Sequence, residues 1–301
     1  MNVKSRSFKV VDILYLATAI LPFVCGILLK ILTTPQSDGI AISGAQIFCS
    51  VKMPLQDMLI TESQVKSWLV MISLFGLCLY LTHGLNAEHP LKRQLAAEWI
   101  VENVDKLVRD NMGEYFMGFA PFIAAILGLS AFSSFSSLTG MYPPTSDINV
   151  TAGWAILVFI LITYFKCKCG PIQYIKGFGD PVPFLAPLNI IGEVATPISM
   201  AFRHYGNVLS GTVISVLIAA ALQKLSALLL GWLPGVLGEI PFLRIGLPAV
   251  LSVYFDVFSG GLQAYIFAML TMLYVSGGFP QAEYERRKAK KEAKKQMKNK
   301  K

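Results

Sequence analysis

The hydrophobic residues of this chain lie in long runs that short polar segments separate. These runs cover 13–29, 68–85, 116–145, 148–165, about 188–230 and about 240–279. A helix needs about 20 apolar residues to cross the hydrocarbon core of a bilayer. The pattern predicts an all-α, polytopic membrane protein with about six membrane-embedded helices, the last two forming a long tilted hairpin. Residues 33–65 are mixed in character and are expected to lie outside the membrane.

A seventh segment, residues 91–110, shows a different pattern. Leu95, Trp99, Val104 and Leu107 recur at helical spacing, and charged residues occupy the other faces. A helix with this many charges cannot span a bilayer, but its apolar face can lie in the interface. We therefore expect an interfacial amphipathic helix here.

The first apolar run admits two interpretations. Lys4, Arg6 and Lys9 precede Ile13–Leu29, as in a secretory signal peptide. The run is long for such a peptide, and no small-x-small cleavage site follows it. The sequence therefore favours an uncleaved anchor. On this interpretation the chain has three parts: an extra N-terminal membrane anchor at 1–40, a membrane domain at 41–280 and a basic cytoplasmic tail at 281–301.

Composition narrows the class of protein. Hydrophobic residues make up 54% of the chain and charged residues 15%, whereas soluble domains carry about 25% charged residues. A water-soluble globule, a disordered chain and a disulfide scaffold are excluded. The net charge is +8, but the tail at 281–301 holds ten Lys/Arg and only three acids. A terminal charge run that is poor in aromatics indicates a tail near anionic lipid and no nucleic-acid partner.

The distribution of basic residues predicts the orientation. With six crossings and a cytoplasmic N-terminus, 20 of the 26 Lys/Arg residues fall on the cytoplasmic side. This is the bias that cytoplasmic loops show. We expect a multi-pass protein of the cell inner (plasma) membrane, with both termini in the cytoplasm.

The most informative residue is an arginine inside an apolar run. Arg203 lies between uncharged stretches, and a central arginine costs about 2.5–3.5 kcal/mol on insertion scales. Residues three, four and seven positions apart share a helix face. Ser199, Gly206, Asn207 and Ser210 stand at those spacings from Arg203. The sequence predicts a smooth polar face that lets another helix approach closely.

Acidic residues lie on both sides of this arginine. The last span carries a second polar stripe at helical spacing, formed by Asp256, Ser259, Gly260 and Gln263. Glu193 lies near the cytoplasmic start of the Arg203 helix. Acids directed to opposite sides of one arginine suggest two aqueous half-paths separated by a charge barrier, which a low dielectric strengthens.

On these residues the sequence resembles subunit a of the F-type ATP synthase, bacterial type. The resemblance is carried by Pro187–Glu193, Pro197–Asn207, Pro143–Thr151, Leu262–Phe267 and the amphipathic Glu98–Val101. It covers about residues 45–280. It implies an ion-translocating stator subunit beside a ring of c subunits, with b-type peripheral stalk subunits and the rest of the synthase as partners. It also implies two half-channels and no cofactor.

The resemblance also implies roles for single residues. Arg203 matches the essential arginine, which attracts the ring carboxylate and prevents leakage between half-channels. Asn207 and Gln263 match polar residues near that arginine, and Glu193 matches an acid of the cytoplasmic half-channel. Asp256 stands where a His or acid is common, whereas Thr212 replaces its usual titratable partner. His204 and Tyr205 depart from the usual Leu-Phe.

Other classes of function fit the sequence less well. No phosphate-binding Gly-rich motif is present, so we expect a non-catalytic subunit. Cys167 and Cys169 do not complete a metal site. A stand-alone secondary transporter is the alternative, although such folds usually contain internal repeats. An intramembrane protease would need a Ser/His or His-x-x-Glu-His arrangement. The coupling ion is expected to be H⁺ rather than Na⁺, but the sequence does not identify it.

Overall fold

A computed structural model describes most of the chain. The described residues are 2–33, 44–54, 57–86, 88, 91–139, 142–168, 171–179, 182–230, 246, 250–279 and 285. The predicted basic tail lies outside these residues except for Glu285, as does most of the connection between the last two spans.

Eight α-helices form the described part of the molecule. They are α1 (Asn2–Thr33), α2 (Glu62–Thr82), α3 (Lys92–Met112), α4 (Ala120–Phe135), α5 (Ile148–Lys168), α6 (Pro171–Gly177), α7 (Ala186–Leu230) and α8 (Gly260–Gly277). A π-helical segment, Val253–Ser259, leads into α8. Short 3₁₀ turns cover Glu114–Phe119, Ser136–Thr139, Pro144–Ser146 and Pro183–Leu185.

Among the described residues, six helical segments are long and apolar enough to cross a membrane. They are Val10–Thr33, Glu62–Thr82, Glu114–Leu138, Ile148–Lys168, Pro183–Leu229 and Val250–Gly277. The prediction of an all-α polytopic protein with about six membrane helices is therefore confirmed. The segment between the first two spans is more ordered than predicted, because strands β1 (Ile47–Val51) and β2 (Met58–Thr61) pair there as an antiparallel hairpin.

The last two spans run antiparallel. The ring of His204 contacts that of Phe267, Asn207 is bonded to Ser259, and Gly211 lies against Phe255. As the residue numbers rise along α7, the numbers of the contacted residues on α8 and its π-helical segment fall. This is the geometry of a helical hairpin.

The core lies between α3, α4, α5, α7 and α8. Its fully buried side chains include Val108, Ile123, Val158, Phe267 and Met272. At one end of the bundle, Phe116 makes edge contacts with the rings of Phe165 and Phe279. Such aromatic pairs contribute about 0.5–1.5 kcal/mol beyond the area they bury. They fix the end of α8 against α4 and α5.

Helix α1 packs outside this core, against α2. The Ser73 hydroxyl donates a hydrogen bond to the Ala19 carbonyl oxygen. A Cβ on Gly76 would lie 2.6 Å from the Thr18 hydroxyl and 2.7 Å from the α1 backbone. The two helices therefore touch backbone to backbone, a contact that only glycine permits.

Candidate functional site

Arg203 lies in the middle of α7 on a face that the rest of the subunit leaves open. Its side chain is exposed, and it makes no hydrogen bond or ion pair with any residue that the structure describes. Ser199 and Ser210 are exposed on the same face, and a Cβ on Gly206 would meet nothing within 4 Å. Phe202 beside them is 57% exposed. The cation thus stands on a low surface that carries both serine hydroxyls and apolar side chains.

Asn207 points elsewhere, although spacing groups it with Arg203. Ser259 Oγ donates to Asn207 Oδ1 over 3.0 Å, and Asn207 Nδ2 donates to the Ser259 carbonyl oxygen over 3.3 Å. A residue four positions along an α-helix is rotated by about 40°. That rotation turns Asn207 from the open face toward α8.

His204 is a site residue that the sequence did not indicate. Its side chain is 0% exposed and its ring makes edge contacts with those of Trp154 and Phe267. Its Nε2 lies 3.3 Å from Ser130 Oγ. Because successive helix residues differ by about 100°, a buried His204 holds the neighbouring Arg203 toward the outside.

The π-helical segment separates the residues of the predicted polar stripe. Such segments interrupt the i, i+3, i+4 register and are frequent at functional sites. Asp256 is partly buried and lies at the same cavity as Ser137. Ser259 bonds Asn207, and a Cβ on Gly260 would lie 2.5 Å from Ser134 Cβ. Gln263 is only 5% exposed. Asp256, Ser259 and Gly260 therefore contact different neighbours.

Asp256 opens onto a polar cavity of about 360 Å³. We call it the Asp256 cavity. Thr212 and Ser215 of α7 line it, and so does Glu62 at the start of α2. The sequence indicated no titratable partner for Asp256 at position 212. In the structure, Asp256 shares its cavity with a second carboxylate, that of Glu62, from a helix distant in the sequence.

A second cavity of about 360 Å³ lies beside the start of α7. We call it the Glu193 cavity. Glu193 Oε1 accepts hydrogen bonds from Lys166 Nζ over 2.8 Å and from Tyr174 Oη over 2.7 Å. Burial, and secondly the bond to Glu193, raise the pKa of the Tyr174 hydroxyl, so it remains a donor at neutral pH.

The two cavities lie on opposite sides of Arg203 along α7. Glu193 precedes Arg203 by ten residues and Thr212 follows it by nine. At 1.5 Å per residue, these positions are about 15 and 14 Å from the arginine. The arginine-bearing face of α7 therefore lies between the levels of the two cavities.

Comparisons with known proteins identify similar chains. The family model for the ATP synthase A chain matches residues 65–276. ATP synthase subunit a of Legionella pneumophila (strain Philadelphia 1) is 28% identical over 221 residues, 73% of this chain and 86% of the relative. The subunit a of Trichlorobacter lovleyi is 31% identical over 226 residues, 72% and 87% of the two chains. A sodium ion specific subunit a, of Propionigenium modestum, is 28% identical over 242 residues, 75% and 76%.

Proposed function

Because the chain belongs to the ATP synthase A chain family, and is thus a non-catalytic membrane subunit of that complex, we propose that it conducts ions past the c-subunit ring with Arg203 as the charge between two half-channels. The observation that carries this proposal is the position of Arg203, on the open face of α7 between the two polar cavities.

The two cavities supply the half-channels. The Asp256 cavity connects one side of the membrane to the open face, with Asp256 as its ion-binding group. The Glu193 cavity connects the other side, with Glu193 as the corresponding acid. Because the cavities are offset along α7, an ion travels between them only while it is bound to a ring carboxylate.

Arg203 prevents a direct passage. A guanidinium on an apolar surface attracts the carboxylate of an arriving c subunit and favours its ionised form. The ring carboxylate therefore releases its ion before it faces Arg203, and it binds another from the second half-channel afterwards. The low dielectric of the interface makes this cation a strong barrier to free cations.

The other predicted site residues position this surface. Ser199, Gly206 and Ser210 keep the face toward the ring low, so that a ring helix approaches Arg203 closely. Asn207 holds α7 to the start of α8 through Ser259, and Gln263, one turn further along α8, is buried. These residues act indirectly, by setting the position of Arg203 and how closely a ring helix approaches it.

Protons are the coupling ion in this proposal. The Asp256 cavity contains carboxylates and hydroxyls, and a proton needs only such hydrogen-bonding partners to be relayed.

The chain lies in the plasma membrane with both termini in the cytoplasm. It consists of an extra anchor at residues 1–40, the conducting domain at 41–280 and a basic tail at 281–301. We expect b-type peripheral stalk subunits to hold the stator in place. On α3, Trp99 is 66% exposed.

The first experiment removes the central charge. Arg203→Ala is compared with Arg109→Ala, which removes an exposed arginine paired with Glu114. In inverted vesicles with the whole complex, Arg203→Ala should retain ATP hydrolysis and lose at least about tenfold in ATP-driven acidification. Arg109→Ala should lose little, because exposed ion pairs contribute about 0–1 kcal/mol. Full ion-coupled ATP synthesis in Arg203→Ala would contradict the role of Arg203.

The same vesicles identify the ion. A protonophore should abolish acidification if protons are carried, whereas sodium uptake that persists with the protonophore would assign Na⁺. Transport by the purified chain alone would instead favour a stand-alone transporter.

A further inference from the structure

The N-terminal helix reaches the Asp256 cavity. The family match begins at residue 65, so α1 precedes it entirely. Nevertheless Lys30 and Thr33, at the end of α1, line the same cavity as Thr212 and Asp256. A helix additional to the family-matched region therefore forms one wall of the proposed ion path.

The position of this wall is fixed at two levels. In the middle of α1, the close approach at Gly76 and the hydrogen bond from Ser73 to the Ala19 carbonyl join it to α2. Near its beginning, Asp12 accepts a hydrogen bond from Arg93 Nη1 over 2.7 Å, which ties it to α3. Lys30 is thus held at the cavity by a rigid helix.

Five titratable groups face this region. Lys30 comes from α1, and Glu62 comes from α2 with its buried ion-pair partner Lys66. Tyr142 lies in the connection before α5, and Asp256 lies in the π-helical segment. Lys30 is close enough to Lys66 for their charges to interact. Two ammonium groups therefore oppose the two carboxylates that would receive a cation.

We propose that Lys30 is a specificity-determining residue of the ion path, whose ammonium sets the affinity of the Asp256 cavity for the transported cation. The inference rests on the proposed function of that cavity. A fixed positive charge at a hydrated cavity lowers the local concentration of cations and weakens their binding to nearby carboxylates. The partly buried position of Lys30 reduces the screening of this effect by salt.

The test changes the charge of this wall and measures cation affinity. Proteoliposomes with the whole complex synthesise ATP under a constant diffusion potential, while the pH, or the Na⁺ concentration, of the lumen is varied. The variants are Lys30→Gln, Lys30→Glu and Lys30→Arg. Lys52→Gln, in the exposed segment between β1 and β2, is the matched control because it removes the same charge outside the cavity.

Lys30→Gln should lower the half-saturating cation concentration about threefold, which is half a pH unit for protons, and Lys30→Glu should lower it further. Lys30→Arg and Lys52→Gln should match the parent complex. Thr33→Lys adds a charge to the same wall and should raise the value about threefold, so the inference is testable even if a Lys30 variant fails to assemble.

Unchanged half-saturation in Lys30→Gln, Lys30→Glu and Thr33→Lys would overturn the role of Lys30, provided that the parent complex synthesises ATP. Failure of the proposed function would be seen separately, as ion-driven synthesis that survives Arg203→Ala.

Discussion

Asn207 and Ser259 are joined by two hydrogen bonds, which fasten α7 to the helix that follows it. One bond runs from Ser259 Oγ to Asn207 Oδ1 and the other from Asn207 Nδ2 to the Ser259 carbonyl oxygen. The pair lies one helical turn from Arg203. The position of the open face that carries Arg203, which we propose to contact the c-subunit ring, therefore depends on an amide that is turned toward α8.

This relationship predicts the effect of Asn207→Leu. The substitution removes both bonds and leaves the Ser259 hydroxyl without its acceptor, at a cost of about 1–3 kcal/mol. We expect ATP-driven ion pumping to fall several-fold while ATP hydrolysis continues, measured by dye quenching in inverted vesicles. Ser210→Ala is the control, because the exposed Ser210 hydroxyl donates a hydrogen bond within its own helix, to the Asn207 carbonyl oxygen. Equal pumping by both variants would contradict the positioning role of Asn207.

The interior of the bundle predicts opposite outcomes for two neighbouring glycines. A Cβ at position 260 would lie 2.5 Å from Ser134 Cβ, whereas at position 261 it would meet nothing within 4 Å. Gly260→Ala should destabilise the subunit by about 1–3 kcal/mol through overpacking. Gly261→Ala should be neutral or slightly stabilising, because alanine has the higher helix propensity. Thermal unfolding of the purified complex measures both, and a similar result for the two variants would place the α4–α8 contact in question.

Buried His204 predicts a compensated double substitution. Its Nδ1 has no hydrogen-bond partner in the described part of the chain, and its other ring nitrogen faces only Ser130. His204→Ala should lose stability because it leaves a cavity. His204→Leu combined with Ser130→Ala replaces the polar pair by apolar groups, which should be nearly neutral or stabilising. The midpoint of thermal unfolding decides between these outcomes, and pumping should persist in the double variant.

The Glu193 cavity makes a prediction about pH. Burial raises the pKa of Tyr174 above its ordinary value of 10.0, so the contribution of its hydrogen bond to stability is complete below about pH 10 and is lost only as pH rises beyond that value. Tyr174→Phe should therefore lower the unfolding temperature by the same amount at every pH from 6 to 9. A difference that grew or vanished within that range would show that the tyrosine titrates there and would contradict the burial argument.

The sequence predicts the spans and the central charge, because each leaves a local signal. An apolar run is read directly as a membrane helix, and Arg203 is conspicuous within one. The β hairpin leaves no such signal, since all five residues of β1 are exposed and do not alternate. The partnership of His204 with Ser130 joins residues 74 positions apart. The π-helical segment and the place of Lys30 likewise depend on tertiary packing, which helical spacing does not encode.

The close packing of α1 on α2 bears on biogenesis. The first two spans, α1 and α2, are consecutive in the sequence and touch backbone to backbone. They can therefore enter the bilayer together as one helical hairpin, with α3 left on the membrane surface after them. Without α1, α2 would insert alone, with the buried Lys66–Glu62 pair facing lipid. The additional helix is therefore expected to act during insertion, as the partner that α2 needs before the rest of the subunit has been made.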